Sequence, residues 1–124
     1  MGQLSKRAES ILRMQKFNRF ACPHCKEPMQ VEKDGRLQCE NRHSFDVAKQ
    51  GYVYMLAKPV NSMYSKDLFD ARHHIITSGL YDRVQQKIAE LIRVDNAKIL
   101  DTGCGEGSHL ARICAQLDGA VGVG

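Results

Sequence analysis

The 124-residue sequence predicts an α/β chain in two parts: a small metal-stapled domain, then the opening of a parallel sheet that the chain leaves truncated. Three observations predict it. Cys22 and Cys25, with Cys39 and His43, have the spacing of a tetrahedral metal clip. A short apolar stretch, Lys98-Ile99-Leu100, runs straight into a glycine-rich loop. A helical stretch and a second apolar strand follow, the order that opens an α/β crossover.

Composition sets the frame. Hydrophobic residues make up 43% and charged residues 26%, which excludes wholesale disorder and collagen-like repeats. No apolar run approaches the ~20 residues of a membrane span, and the polar, basic start is unlike a signal sequence. The expected location is therefore the cytoplasm, with no membrane partner. There five Cys suit metal binding better than a disulfide framework. Residues 1–58 hold 11 Lys/Arg and 6 Asp/Glu, a net of +5, whereas residues 59–124 hold 7 and 8, a net of −1. A basic front half suits a polyanion such as nucleic acid, and equally a solvated basic surface.

The elements follow in order. Leu4, Ala8, Ile11 and Leu12 recur at helical spacing and predict an amphipathic N-terminal helix within residues 4–17, so residues 1–19 form the first segment. Residues 20–58 form the second. Two short apolar runs, Met29–Glu32 and Arg36–Cys39, flank Asp34-Gly35, a hairpin-turn signal. Residues 59–124 form the third, starting with a connector from Pro59 to Ser65. Leu68, Ala71, Ile75 and Ile76 predict a helix that Gly79 can stop, and Tyr81, Val84, Ile88 and Leu91 a second helical stripe. Strand 98–100, helix 108–117 and strand 120–123 complete the chain.

The metal ligands are Cys22, Cys25, Cys39 and His43. Two knuckles thirteen residues apart, joined by a hairpin, present three thiols and an imidazole to one zinc ion. The competing reading is a set of unligated thiols in a small core. A basic, loop-rich segment with so few large apolar residues needs a staple to fold, which favours a zinc ribbon. Four protein ligands leave no open position, so the zinc is structural. His24, between the first two Cys, would strain the short loop as a ligand. His73 and His74 read as surface or partly packed residues; His109, just after the glycine loop, has two readings, a residue near a ligand and, more plainly, an ordinary helix-start residue.

The loop Asp101-Thr102-Gly103-Cys104-Gly105-Glu106-Gly107 places three alternate glycines after a strand, where they permit tight turning and close approach to a ligand. The dinucleotide fingerprint would need glycine at position 108, where Ser108 stands. A dehydrogenase-like nucleotide binder is thereby disfavoured. The D-x-G-x-G-x-G spacing instead resembles the first motif of class I S-adenosylmethionine methyltransferases, so the sheet is expected to be Rossmann-like. A tight turn without a ligand is the plainer alternative. Cys104 and Cys114 read as small packing residues.

Several blocks together resemble the bacterial 23S rRNA guanine-N1-methyltransferase family with an N-terminal zinc ribbon, from about Phe20 to the end of the chain. They are Cys22-Pro23-x-Cys25, Cys39 to His43, Phe45-Asp46-Val47-Ala48-Lys49-Gln50-Gly51-Tyr52-Val53, Asp70-Ala71-Arg72, Gly79-Leu80-Tyr81 and the loop from Asp101 to Gly107. The resemblance implies an S-adenosyl-L-methionine-dependent enzyme whose ribbon helps to grip a 23S rRNA hairpin, and leaves a homodimer of the full-length protein open. It implies that some members confer resistance to macrolides of the tylosin kind. It places Tyr81, Gly105 and Glu106 at the cofactor, and with the loop the expected cofactor set is Tyr81, Asp101, Gly103, Gly105, Glu106 and Gly107. Family members continue well past this length, so the chain is expected to be inactive alone. No residue is nominated as catalytic. A non-catalytic zinc-ribbon RNA-binding module is the alternative.

Overall fold

The computed structural model describes residues 2–124. They divide into two compact units, one ending at Pro59 and the other running from Val60 to Gly124.

The first unit opens with α1 (Lys6–Phe17). The Ser5 hydroxyl caps its start by accepting from the Ala8 N–H, and Asn18 in the left-handed region closes it. Three short strands follow, β1 (Met29–Val31), β2 (Arg36–Cys39) and β3 (Ser44–Asp46). They form one antiparallel sheet in the order β1-β2-β3, with Val31 opposite Leu37 and Leu37 opposite Phe45. The turn between β1 and β2 is the expected one: the Asp34 side chain accepts from the Arg36 N–H, and Gly35 has φ +90°. β3 is only three residues long, and its polar–apolar alternation is too short to mark a strand in the sequence.

α1 shares its core with the sheet. Ile11 is buried in one cluster with Cys22, Met29, Leu37, Cys39 and Val47. The Arg7 Nε donates to the Val47 carbonyl at 2.9 Å and its Nη2 to the Asp34 carbonyl at 2.6 Å. The inward face of α1 therefore runs through Arg7, Ile11 and Met14 rather than through Leu4 and Leu12, which are exposed. Helix and ribbon, separate segments in the sequence reading, are one unit here.

The second unit contains α2 (Lys66–Thr77), α3 (Asp82–Leu91), β4 (Lys98–Leu100), α4 (Ser108–Cys114) and β5 (Val121–Val123). Ser65 caps α2 by accepting from Leu68 N–H, and Gly79, at φ +102°, breaks the chain away from its end. β4 and β5 pair in parallel, Lys98 beside Val121 and Leu100 beside Val123, with α4 as the crossover. This is the predicted start of a Rossmann-like sheet. Helix α4 packs on β5 at Gly122, where an added Cβ would stand 2.8–2.9 Å from Cys114 and Leu110 side-chain atoms.

The apolar stripes of α2 and α3 behave differently from expectation. Of the first, only Ile76 is buried; Leu68, Ala71 and Ile75 are exposed. Of the second, Tyr81, Val84, Ile88 and Leu91 are all exposed, and α3 buries Gln85 and Ala89 instead. The reason is polar: Gln85 and Asp82 are tied to side chains on α4, and that pairing fixes which face turns inward. Among the described residues, no helix is long and apolar enough to cross a membrane.

Candidate metal centre and glycine-loop cavity

The four predicted metal ligands converge. Cys22 and Cys25 sit on the knuckle before β1, while Cys39 ends β2 and His43 precedes β3. Each knuckle turns on a left-handed residue, Lys26 (φ +67°) and Arg42 (φ +66°). The Lys26 N–H donates to the Cys22 carbonyl at 2.8 Å and the Arg42 N–H to the Cys39 carbonyl at 3.1 Å.

The distances fit zinc. His43 Nδ1 lies 3.5 Å from Cys22 Sγ and 3.4 Å from Cys39 Sγ, and Cys25 Sγ lies 3.7 Å from Cys39 Sγ. All four ligand atoms lie within 4.8 Å of one another. Bond lengths of ~2.3 Å to sulfur and ~2.05 Å to nitrogen give tetrahedron edges of about 3.8 Å between sulfurs and about 3.6 Å from sulfur to nitrogen. Cys22 and Cys39 are buried, and the His43 N–H donates to Cys39 Sγ at 3.3 Å, which steadies a thiolate. The side chain of Asn41, with the Glu27 backbone, draws the Cys25 thiol down to about 6. Burial pushes the Cys39 thiol up, so this sulfur ionises readily only beside a cation. His24 stays out of the cluster; its ring stacks on Phe45 at 5.7 Å and tilts against His43 at 5.1 Å.

The glycine loop borders a cavity of about 300 Å³ within the second unit. Of the expected cofactor residues, Tyr81, Gly103, Gly105 and Glu106 line it, together with Arg72 and His109. Asp101 and Gly107 are not in the lining. The Asp101 N–H donates to the Val123 carbonyl, extending the β4–β5 pairing by one bond, and Gly107 caps α4. Gly103, Gly105 and Gly107 have φ of +76°, +62° and +90°, and a Cβ on any of them would meet nothing within 4 Å. Their glycines are thus demanded by backbone conformation, and the space beside them is open to a ligand.

Glu106 is held by its neighbours. Burial opposes its ionisation, but the Ser108 hydroxyl and backbone N–H donate to it at 2.6 and 2.9 Å and His73 Nδ1 lies 3.0 Å away. The net effect keeps the carboxyl below its ordinary range. Burial and the charge of Asp101 raise the thiol of Cys104, which also lines the cavity. Sequence reasoning missed His73 and left His109 between two readings. His73 joins α2 to the loop through Glu106 and Ser108. His109 meets the Tyr81 ring edge-on at 5.0 Å and pairs with buried Gln85. A histidine on a helix has no local signature for such long-range partners.

Together these sites define a zinc ribbon and, in the second unit, a Rossmann-like strand–glycine loop–helix–strand opening. Residues 20–66 match the family model described as RlmA, N-terminal, a zinc ribbon. YxjB of Bacillus subtilis (strain 168), provisionally named a 23S rRNA (guanine-N(1)-)-methyltransferase, is 42% identical over 105 residues, covering 79% of this chain and 37% of the relative. A 23S rRNA (guanine(748)-N(1))-methyltransferase of Streptomyces fradiae is 36% identical over 108 residues, covering 82% and 38%. A provisionally named 23S rRNA (guanine-N(1)-)-methyltransferase of Micromonospora griseorubida is 27% identical over 123 residues, covering 82% and 42%. The chain corresponds to the N-terminal portion of these 23S rRNA (guanine-N1)-methyltransferases, and its residues 20–66 are the matched zinc ribbon. It spans about two-fifths of the length of these relatives.

Proposed function

We propose that this chain is the N-terminal part of a cytoplasmic S-adenosylmethionine-dependent methyltransferase that acts on guanine N1 in a 23S rRNA hairpin. The observation that carries the reading is the pairing, in one chain, of a Cys3His ribbon with a loop of three left-handed glycines, two of which, Gly103 and Gly105, border an open cavity. The names of the relatives supply the substrate class.

The ribbon would hold RNA rather than react. Its zinc coordination is closed, and Lys26, Lys33, Arg36, Arg42 and Lys49 are exposed on the same unit. The bound zinc supplies structure only. S-adenosylmethionine, when bound, supplies an electrophilic sulfonium methyl group; the residues fit it through the loop glycines, Tyr81 and Glu106. What the chain contributes there is alignment and a partly apolar wall from Ile75, Ile76 and Tyr81 that thins out water. Guanine N1 carries a proton, so a base is required, and none is assigned to this chain. Taken alone, the chain is proposed to be inactive.

The test is methyl transfer from radiolabelled S-adenosylmethionine to 23S rRNA by a protein extended to the relatives' length, with N1-methylguanine mapped by primer extension. Label at guanine N1 supports the reading. RNA binding without transfer would instead establish a non-catalytic zinc-ribbon module.

A further inference from the structure

A polar relay ends at His109 in the wall of the loop cavity, and its hydrogen polarity can be read from the other end, at Arg112. Arginine has donors only. Arg112 Nε donates to Gln85 Oε1 at 3.0 Å and Arg112 Nη2 to Asp82 Oδ1 at 2.6 Å. With its carbonyl oxygen turned to Arg112, Gln85 directs its amide nitrogen the other way, and Nε2 lies 2.9 Å from His109 Nδ1. Gln85 is 1% exposed, so no bulk water is at hand to re-pair it. A flipped amide would set its NH2 against the guanidinium, donor facing donor in a buried site. His109 Nδ1 is therefore an acceptor, and the neutral imidazole carries its proton on Nε2.

That tautomer matters because of where the ring lies. His109 lines the cavity beside Tyr81, Gly105 and Glu106, and its ring meets Tyr81 edge-on. With Nδ1 committed to Gln85, Nε2–H is the imidazole's remaining polar group.

We propose that His109 is a ligand-facing hydrogen-bond donor of this cavity, locked as the Nε2–H tautomer by Arg112 acting through Gln85. Arg112 and Gln85 are then positioning residues. The inference rests on the reading of the cavity as the S-adenosylmethionine site. It narrows that reading: an oxygen acceptor of the cofactor, in its carboxylate or ribose hydroxyls, meets a neutral N–H donor at this wall.

The test uses this chain, zinc-loaded and labelled with ¹⁵N, with imidazole nitrogens observed by NMR at a pH where His109 is neutral. The expected result is a bare Nδ1 and a protonated Nε2 in the wild type. Gln85→Glu, which puts a carboxylate opposite Nδ1, should protonate Nδ1. A wild-type Nδ1–H overturns the inference before any ligand is added. S-adenosylmethionine is then titrated into a protein extended to the relatives' length, labelled in the same way. The His109 Nε2–H signal should move with the amides of Gly103 and Gly105, and His109→Phe should bind about fivefold to tenfold more weakly, the worth of one hydrogen bond. Loop amides that respond while Nε2–H stays still overturn the inference and leave the cofactor site standing. If the tautomer is as expected but no loop amide responds, the cofactor reading itself falls and takes the donor's ligand with it. The wild-type measurements stand even where His109→Phe, which leaves Gln85 unpaired, fails to fold.

Discussion

Arg7 reaches across forty positions of sequence to donate to the backbone carbonyl of Val47, and the same guanidinium takes the Asp34 carbonyl at the tip of the β1–β2 turn. One side chain on α1 thus ties both the hairpin turn and the segment after β3. Ile11 completes the joint from the same face of the helix. Arg7→Ala should lower the stability of the zinc-loaded ribbon by about 1–3 kcal/mol, because two carbonyls lose charged donors. Arg7→Lys should recover only part, since one ammonium cannot reproduce the two-pronged fork. Denaturant unfolding followed by circular dichroism measures both; an unchanged midpoint in Arg7→Ala would show that the latch contributes nothing.

Gly35 is the counterpart of that latch. It has φ +90°, and a Cβ there would run into the Arg7 guanidinium and stand 2.8 Å from Ile11 Cδ1. Gly35→Ala should cost about 2–4 kcal/mol, from left-handed strain plus crowding. Because the two residues share one space, the Arg7→Ala background should soften this penalty by at least ~0.5 kcal/mol in a double-mutant cycle. Strict additivity would separate the two sites.

The zinc centre supports a prediction about folding as well as composition. The purified chain should contain one equivalent of zinc. Cys39→Ser should lose the metal and the exchange protection of the β1–β2 hairpin, because the cluster is the centre of a core that holds few large apolar side chains. Cobalt(II) in place of zinc should show the absorption of a tetrahedral three-sulfur, one-nitrogen site. A metal content below about half an equivalent, or a Cys39→Ser hairpin that stays protected, would remove the ribbon.

How much of this was legible beforehand depended on whether the signal was local. Cys22, Cys25, Cys39 and His43 announce their chemistry by spacing, and Asp34-Gly35 announces its turn, because both are set within a few residues. The strand, glycine loop, helix and strand of the second unit were legible for the same reason. Helix faces were not. Leu12 outranks Arg7 on any hydrophobicity scale, yet Arg7 faces the ribbon, since two carbonyls there need donors. Val84 and Leu91 outrank Gln85, yet Gln85 is the buried one, since Arg112 and His109 complete its amide. His73 passed as an ordinary residue and His109 stayed between two readings because their partners lie 24 to 35 positions away.

Glu106 gives the second unit a pH dependence. Its carboxyl is held low by the Ser108 donors and His73 in spite of burial. A carboxyl depressed by folding contributes stability that is fully present above its unfolded value, near 4.5, and is lost as pH falls through the lower folded one. Glu106→Gln should therefore cost about 1–2 kcal/mol at pH 7 and progressively less below pH ~4.5, where the wild type has given up the same interaction. Thermal unfolding of both proteins across that range measures the convergence. Curves that stay parallel down to strongly acid pH would mean that the charge on Glu106 does not hold the loop.

Gly105 separates backbone demand from ligand space. Its φ of +62° disfavours any side chain, but the Cβ itself would meet open space. Gly105→Asn, which tolerates the left-handed region, and Gly105→Ala should each cost stability of no more than about 1–2 kcal/mol. Gly105→Asp should do something different: it places a carboxylate in the space where the loop would receive the cofactor, while the zinc cluster in the other unit keeps its metal. Calorimetric titration with S-adenosylmethionine on a protein of the relatives' full length should show binding in the wild type, weaker binding in Gly105→Ala and none in Gly105→Asp, with zinc content unchanged in all three. Equal affinity in the wild type and Gly105→Asp would place the cofactor somewhere other than this loop.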